Sequence, residues 1–154
     1  MSHVDAKLKK MGIVLPALAR PVAAYVPAMT VGNLLFTSGQ LPFVDGTLAL
    51  TGKVGQEVSP EDAVEMARIC ALNGLAAANS VLGSLDKVLR VVKVNGFVSS
   101  APDFFGQPQV LNGASEVLEE IFGQRGHHAR AAVGVAALPL NSPVEVDLIL
   151  EFSP

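Results

Sequence analysis

Two charged side chains stand apart in the last quarter of this chain. Arg130 is the only charge between His128 and Val144, and Glu145 is the next charge after it. A guanidinium in so apolar a run must be paired, hold an anion or reach water, because burying it alone is very costly. Its planar fork of donors matches a carboxylate, which points to the binding of a small organic acid. The plainer alternative is an arginine at an exposed strand end with a surface glutamate, the usual situation of charged side chains.

The elements that must position these residues read as two strands, His128–Ala137 and Val144–Phe152, joined by Leu138–Pro143. In a simple hairpin Arg130 would lie opposite about Glu151, leaving Glu145 roughly 20 Å away at the usual rise per residue. That is too far to share a small ligand. Either the strands are not partners, or a second chain completes the pocket.

Earlier in the chain, 21–29 reads as an extended piece that forms a β-hairpin with Leu34–Gln40 through the turn candidate Val31–Asn33. The hairpin ends in Ser38-Gly39-Gln40, where the missing Cβ of Gly39 would let a ligand approach the backbone N–H groups; a plain strand end or bulge is the alternative. Asp45-Gly46 marks a turn. Ser59-Pro60-Glu61-Asp62 is a helix start, with serine as N-cap, proline at the first position and two acids at the positive end of the dipole. The helix should run from Pro60 to about Leu82, where Gly83 stops it. Its stripe of Val64, Ala67, Ala71, Leu75, Ala78 and Leu82 is small enough to lie close to a sheet. A largely buried strand over Leu89–Val98 and a second helix over Pro108–Phe122 follow. Val4–Ile13 reads as a short accessory helix. The expected architecture is an α+β sandwich, a mixed sheet with two main helices on one face, in a single domain over 1–154 with 1–20 as an N-terminal extension.

Composition bounds the function. Half of the 154 residues are hydrophobic and 16% are charged, against roughly 25% charged in a typical soluble domain. So few charges leave apolar surface to cover, and a homo-oligomer is the simplest cover. The longest uncharged stretch, Pro21–Val44, contains three prolines and several glycines and polar residues, so no membrane span is expected. No cationic segment with an apolar run opens the chain, and a cytoplasmic protein is expected. A formal charge of -3 with no basic cluster argues against nucleic acid as partner. Cys70 has no disulfide partner and reads as a small buried thiol. His127 and His128, as strand neighbours, would point to opposite faces, so no metal site is expected.

Several stretches together resemble the reactive intermediate deaminases, the RidA or YjgF family, formerly labelled endoribonucleases. They are Ala24-Tyr25, Phe36-Thr-Ser-Gly-Gln-Leu-Pro42, Val94-Asn-Gly-Phe-Val98, Asn112, Ala129-Arg130, Val135-Ala-Ala-Leu-Pro139 and Val144-Glu-Val146. The resemblance implies a chorismate mutase-like homotrimer with sites between subunits and no cofactor. It also implies hydrolysis of a small 2-imino or enamino carboxylate to a 2-oxo acid and ammonia. It places Arg130 on the carboxylate clamp, Glu145 on the residue associated with the reacting water, and Tyr25, Ser38, Gly39 and Asn112 on substrate-binding positions. The chain departs from the family pattern at Ala132, where many members carry a cysteine. The segment between Asn112 and Arg130 is about one residue longer, and the N-terminal extension is unusual. A non-catalytic, carboxylate-binding regulatory trimer is the alternative, and an endoribonuclease the lesser one, since one tyrosine and no tryptophan offer little for base stacking.

Overall fold

The computed structural model describes residues 2–18 and 23–154; part of the extended piece expected over 21–29, and the end of the N-terminal extension, lie outside them. A short helix α1 (His3–Lys10) is followed by strands β1 (Ala28–Val31) and β2 (Leu34–Thr37) and a two-residue ribbon, β3 (Phe43–Val44) with β4 (Thr47–Leu48). Then come α2 (Pro60–Leu82), β5 (Val88–Ser99), α3 (Gln107–Phe122), β6 (Ala129–Val135) and β7 (Val144–Phe152). Five strands form one mixed sheet in the order β1-β2-β7-β5-β6, in which only β5 and β6 run parallel.

The helix start at Ser59 behaves as its residues dictate. Its hydroxyl accepts from the Asp62 N–H at 3.1 Å, Pro60 opens the helix, and Gly83 ends it in the left-handed region at φ 78°. Ala67, Ala71, Leu75, Ala78 and Leu82 are buried on the stripe expected of them. The α1 segment is tied to the body through both a cap and a core contact. The Asp86 carboxylate accepts from the His3 and Val4 N–H groups at 2.9 and 2.7 Å, while Val4 and Leu8 are buried. These bonds hold the Asp86 pKa below the usual carboxylate range. Cys70 is buried against the sheet, and burial raises its thiol pKa well above the ordinary value.

Both long helices pack on one face of the sheet, over Val94, Val98, Val146, Leu148 and Leu150. Alternation along β7 sends Val144, Val146, Leu148 and Leu150 inward and Glu145, Asp147, Ile149 and Glu151 to the opposite face, as the two-residue period requires.

The simple hairpin of the last two strands does not form. β5 lies between β6 and β7, pairing parallel with the first (Val94 with Arg130) and antiparallel with the second (Val94 with Leu148). The connection Leu138–Pro143 therefore spans a strand instead of turning tightly, and Leu140 and Asn141 both adopt positive φ of 58° within it. β6 is also shorter than read, beginning at Ala129 and ending at Val135.

Where the two helices cross, Gly113 of α3 meets the backbone of α2. A Cβ there would stand 2.0 Å from the Val64 carbonyl oxygen. Backbone cannot swing aside as a side-chain end can, so the helices would have to separate. Gly113→Ala is expected to destabilise the fold by about 1–3 kcal/mol through overpacking, despite the ~1 kcal/mol helix-propensity advantage of alanine. Urea unfolding measures this; a variant as stable as the parent would show that the helices are less tightly engaged.

Candidate functional site

Arg130 is the second residue of the edge strand β6, and its side chain turns toward α3. Asn112 and Ser115 lie three residues apart on that helix, so both face the strand. Arg130 Nη1 donates to Asn112 Oδ1 at 2.8 Å and to Ser115 Oγ at 3.2 Å. Both bonds leave from one nitrogen, so the Nε–Nη2 edge has no hydrogen-bond or ion-pair partner among the described residues. A guanidinium immobilised through one amino group, with its second edge open, is prepared for the two oxygens of a carboxylate.

The hydrogen bonding continues behind the arginine. His128 Nε2 lies 2.9 Å from Ser115 Oγ, and its Nδ1 lies 2.6 Å from the Gly126 carbonyl oxygen. A carbonyl only accepts, so the neutral ring carries its proton on Nδ1 and accepts the Ser115 hydroxyl at Nε2. Burial lowers the His128 pKa and outweighs the Gly126 bond, which favours the charged ring; the Arg130 and His127 charges act in the same direction as burial. His127 Nε2 is 2.9 Å from Glu119 Oε1. Ser115, Glu119, His127, His128 and Arg130 are among the walls of an open cleft of about 280 Å³.

Ser115 and His128 were missed in the sequence. Ser115 follows Asn112 at helical spacing, which is a usable signal once Asn112 is suspected. As strand neighbours the two histidines would point to opposite faces. They precede β6 and line the same cleft, although no group of three His, Cys, Asp or Glu suited to a metal ion occurs among the described residues.

The other expected residues gather elsewhere. Gln40 bridges Val146 through backbone bonds of 2.8 and 3.0 Å, which lays Gly39 against Glu145. A Cβ on residue 39 would stand 2.8 Å from Glu145 Cδ. The missing side chain at Gly39 thus makes room for the Glu145 carboxylate. Ser38 Oγ donates to the Val26 carbonyl at 2.5 Å, and Tyr25, one residue earlier, is 58% exposed. Burial, and then the neighbouring charge of Asp147, raise the Glu145 pKa above the ordinary value.

One chain therefore carries two groups: Asn112 with Arg130, and Ser38, Gly39 and Glu145 with Tyr25 nearby in the chain. Glu145 is level with Val133, three residues along from Arg130 and two strands across, a backbone separation of about 14 Å on ordinary sheet spacings. The two side chains also leave opposite faces of the sheet, since Arg130 reaches α3 while Glu145 alternates with the inward Val144 and Val146.

The depressed pKa of His128 has a thermodynamic consequence. The unfolded chain binds that proton more readily than the folded one, so His128 contributes stability above the ordinary histidine pKa that is lost as pH falls through and below it. Between pH 7.5 and 5.5 the parent should lose stability to urea more steeply than His128→Gln. Equal slopes would remove His128 from the buried, carbonyl-bonded position.

The chain matches the YjgF/chorismate mutase-like family over residues 5–152, a family whose description adds endoribonuclease activity only as a conjecture. It is 44% identical over 152 residues to protein TCP17 of Trypanosoma cruzi, covering 98% of this chain and 95% of that one. It is 32% identical over 136 residues to a 2-iminobutanoate/2-iminopropanoate deaminase of Dermatophagoides farinae, covering 88% and 91%. The crystal structure of Atu1372 from Agrobacterium tumefaciens, a protein of unknown function, superposes with a TM-score of 0.91 at 47% identity, over 98% of this chain and 94% of that one. With the matched span taking in both groups of site residues and the mixed sheet carrying its two helices on one face, the chain belongs to the YjgF/chorismate mutase-like family, the RidA proteins.

Proposed function

We propose that this protein hydrolyses small 2-imino or enamino carboxylates to 2-oxo acids and ammonia in the cytoplasm, as a homotrimer whose sites lie between subunits. The observation that carries the reading is the Arg130 guanidinium, fixed through Nη1 by Asn112 and Ser115 with its Nε–Nη2 edge unoccupied among the described residues. The similarity to a 2-iminobutanoate/2-iminopropanoate deaminase supports the substrate class.

An apolar face of the sheet supports self-association, while the number three rests on the family resemblance. This helix-free face presents Met29, Phe36 and Val133, which are 58%, 39% and 45% exposed. Such a face is covered most simply by another copy. A second copy would also supply what one chain lacks, by bringing the Glu145 of one subunit to the Arg130 of the next.

At such a site Arg130 holds the substrate carboxylate, and Glu145 takes a proton from water as the oxygen adds to the imine carbon. The raised pKa of Glu145 brings it closer to the working pH of a general base, a contribution of about 10²–10⁴-fold. Glu145 passes that proton to the imine nitrogen, giving the carbinolamine; the hydroxyl proton follows through the same carboxylate, so nitrogen leaves as ammonia with the bonding electrons, the oxygen becomes the keto group and Glu145 is again free. Ser38, Tyr25 and Gly39 shape the Glu145 side. Holding water and imine together supplies most of the rest. A nuclease draws no support from a chain of net charge -3 with one tyrosine and no tryptophan.

Ammonia release from freshly generated 2-iminobutanoate and 2-aminoacrylate tests the proposal. Arg130→Lys should lower kcat/KM by about tenfold or more, because an ammonium keeps the charge without the fork. Glu145→Gln should lower turnover about 10²-fold while leaving the binding of a 2-oxo acid nearly intact. A parent protein that binds 2-oxo acids through Arg130 but releases no ammonia would instead favour a carboxylate-binding regulator.

A further inference from the structure

We infer that His128 is a positioning residue for Arg130 that acts through Ser115, and that it couples the cleft's hold on a small carboxylate to the protonation of its own ring. The inference rests on the reading of Arg130 as a carboxylate clamp and adds to it two residues outside the expected site.

The geometry is a chain of three bonds. Arg130 Nη1 donates to Ser115 Oγ at 3.2 Å, Ser115 shares a 2.9 Å bond with His128 Nε2, and His128 Nδ1 is anchored 2.6 Å from the Gly126 carbonyl. The backbone around Gly126 has little freedom to yield, since a Cβ at that residue would meet the Leu118 carbonyl oxygen at 2.4 Å. The ring is thus fixed at one nitrogen and fixes the serine with the other.

The protonation state of the ring decides what the serine offers. With a neutral ring, the Ser115 hydroxyl hydrogen points at Nε2 and its lone pairs hold Arg130. When Nε2 gains a proton it becomes the donor. Ser115 Oγ then accepts from both His128 and Arg130, and its own hydrogen is released toward the cleft, where it can bond a ligand oxygen. A second positive charge beside the guanidinium acts in the same direction, because it favours an anion in the cleft.

The charged and titratable groups around His128 are Glu116 and Glu119 on α3, His127 in the preceding turn and Arg130 on β6. His127 is engaged with Glu119 and makes no bond to Ser115. It is therefore the internal control.

Calorimetric titration with pyruvate, an unreactive 2-oxo acid, from pH 8 to pH 5.5 reads the coupling directly. The affinity of the parent should rise about three- to tenfold as pH falls, the size of a solvent-screened charge coupling. His128→Gln, whose amide can accept from Ser115 but does not titrate, should lose this rise. His128→Ala should lose it as well and bind more weakly than His128→Gln at pH 8, because Ser115 then has no fixed partner. His127→Gln should keep the rise. The same rise in His128→Gln, or equal affinities of the alanine and glutamine variants at pH 8, would overturn the inference while leaving the clamp standing. Pyruvate binding unaffected by Arg130→Ala at every pH would overturn the clamp itself, and the coupling with it.

Discussion

An arginine on an edge strand is of use to a ligand only if its plane is held still, and in this chain a helix holds it. Asn112 and Ser115 both take bonds from Nη1, which orders a side chain that would otherwise bring close to 2 kcal/mol of rotamer entropy to the binding step. That arrangement depends on where α3 lies. The helix is fixed against the sheet at Gly96, where a Cβ would collide with Leu111 Cδ1 at 2.1 Å, and against α2 at Gly113. Packing at two glycines therefore sets the aim of a guanidinium that neither of them touches.

The same sheet that aims Arg130 keeps it from Glu145. With β5 inserted between β6 and β7, the two residues stand two strands apart on opposite faces. Each has its own support: Arg130 is bonded to α3, and Glu145 rests over Gly39, where the bridge from Gln40 to Val146 brings the end of the hairpin across. The open apolar face, with Met29, Phe36 and Val133 exposed, gives the assembly of several copies a physical motive independent of the chemistry.

Much of this was legible in the residues because local rules agreed with one another. Ser59, Pro60 and Gly83 mark both ends of α2, the turn after Val31 gives the first hairpin, and β7 spans the Val144–Phe152 expected of it. The insertion of β5 was not legible. Strand order is fixed by which apolar faces bury best together, and nothing within Leu138–Pro143 announces that it spans a neighbour. The candidate site residues come from the singularity of their charges or from family resemblance. Ser115 and His128 escaped because a serine inside a helix and a histidine just ahead of a strand carry no signal until the fold places them together. At Gly39 the missing Cβ leaves room for the Glu145 carboxylate.

If the proposed chemistry belongs to two chains, Arg130 from one and Glu145 from the next, mixing subunits restores what neither variant has. Arg130→Ala and Glu145→Ala chains, each expected to be inactive alone, are unfolded together in equal amounts and refolded as mixed trimers. With random assembly, about one site in four then combines an intact Arg130 with an intact Glu145 of its neighbour. The account predicts recovery of roughly a quarter of the parent's ammonia release. No recovery from trimers shown by mass spectrometry to be mixed would contradict it.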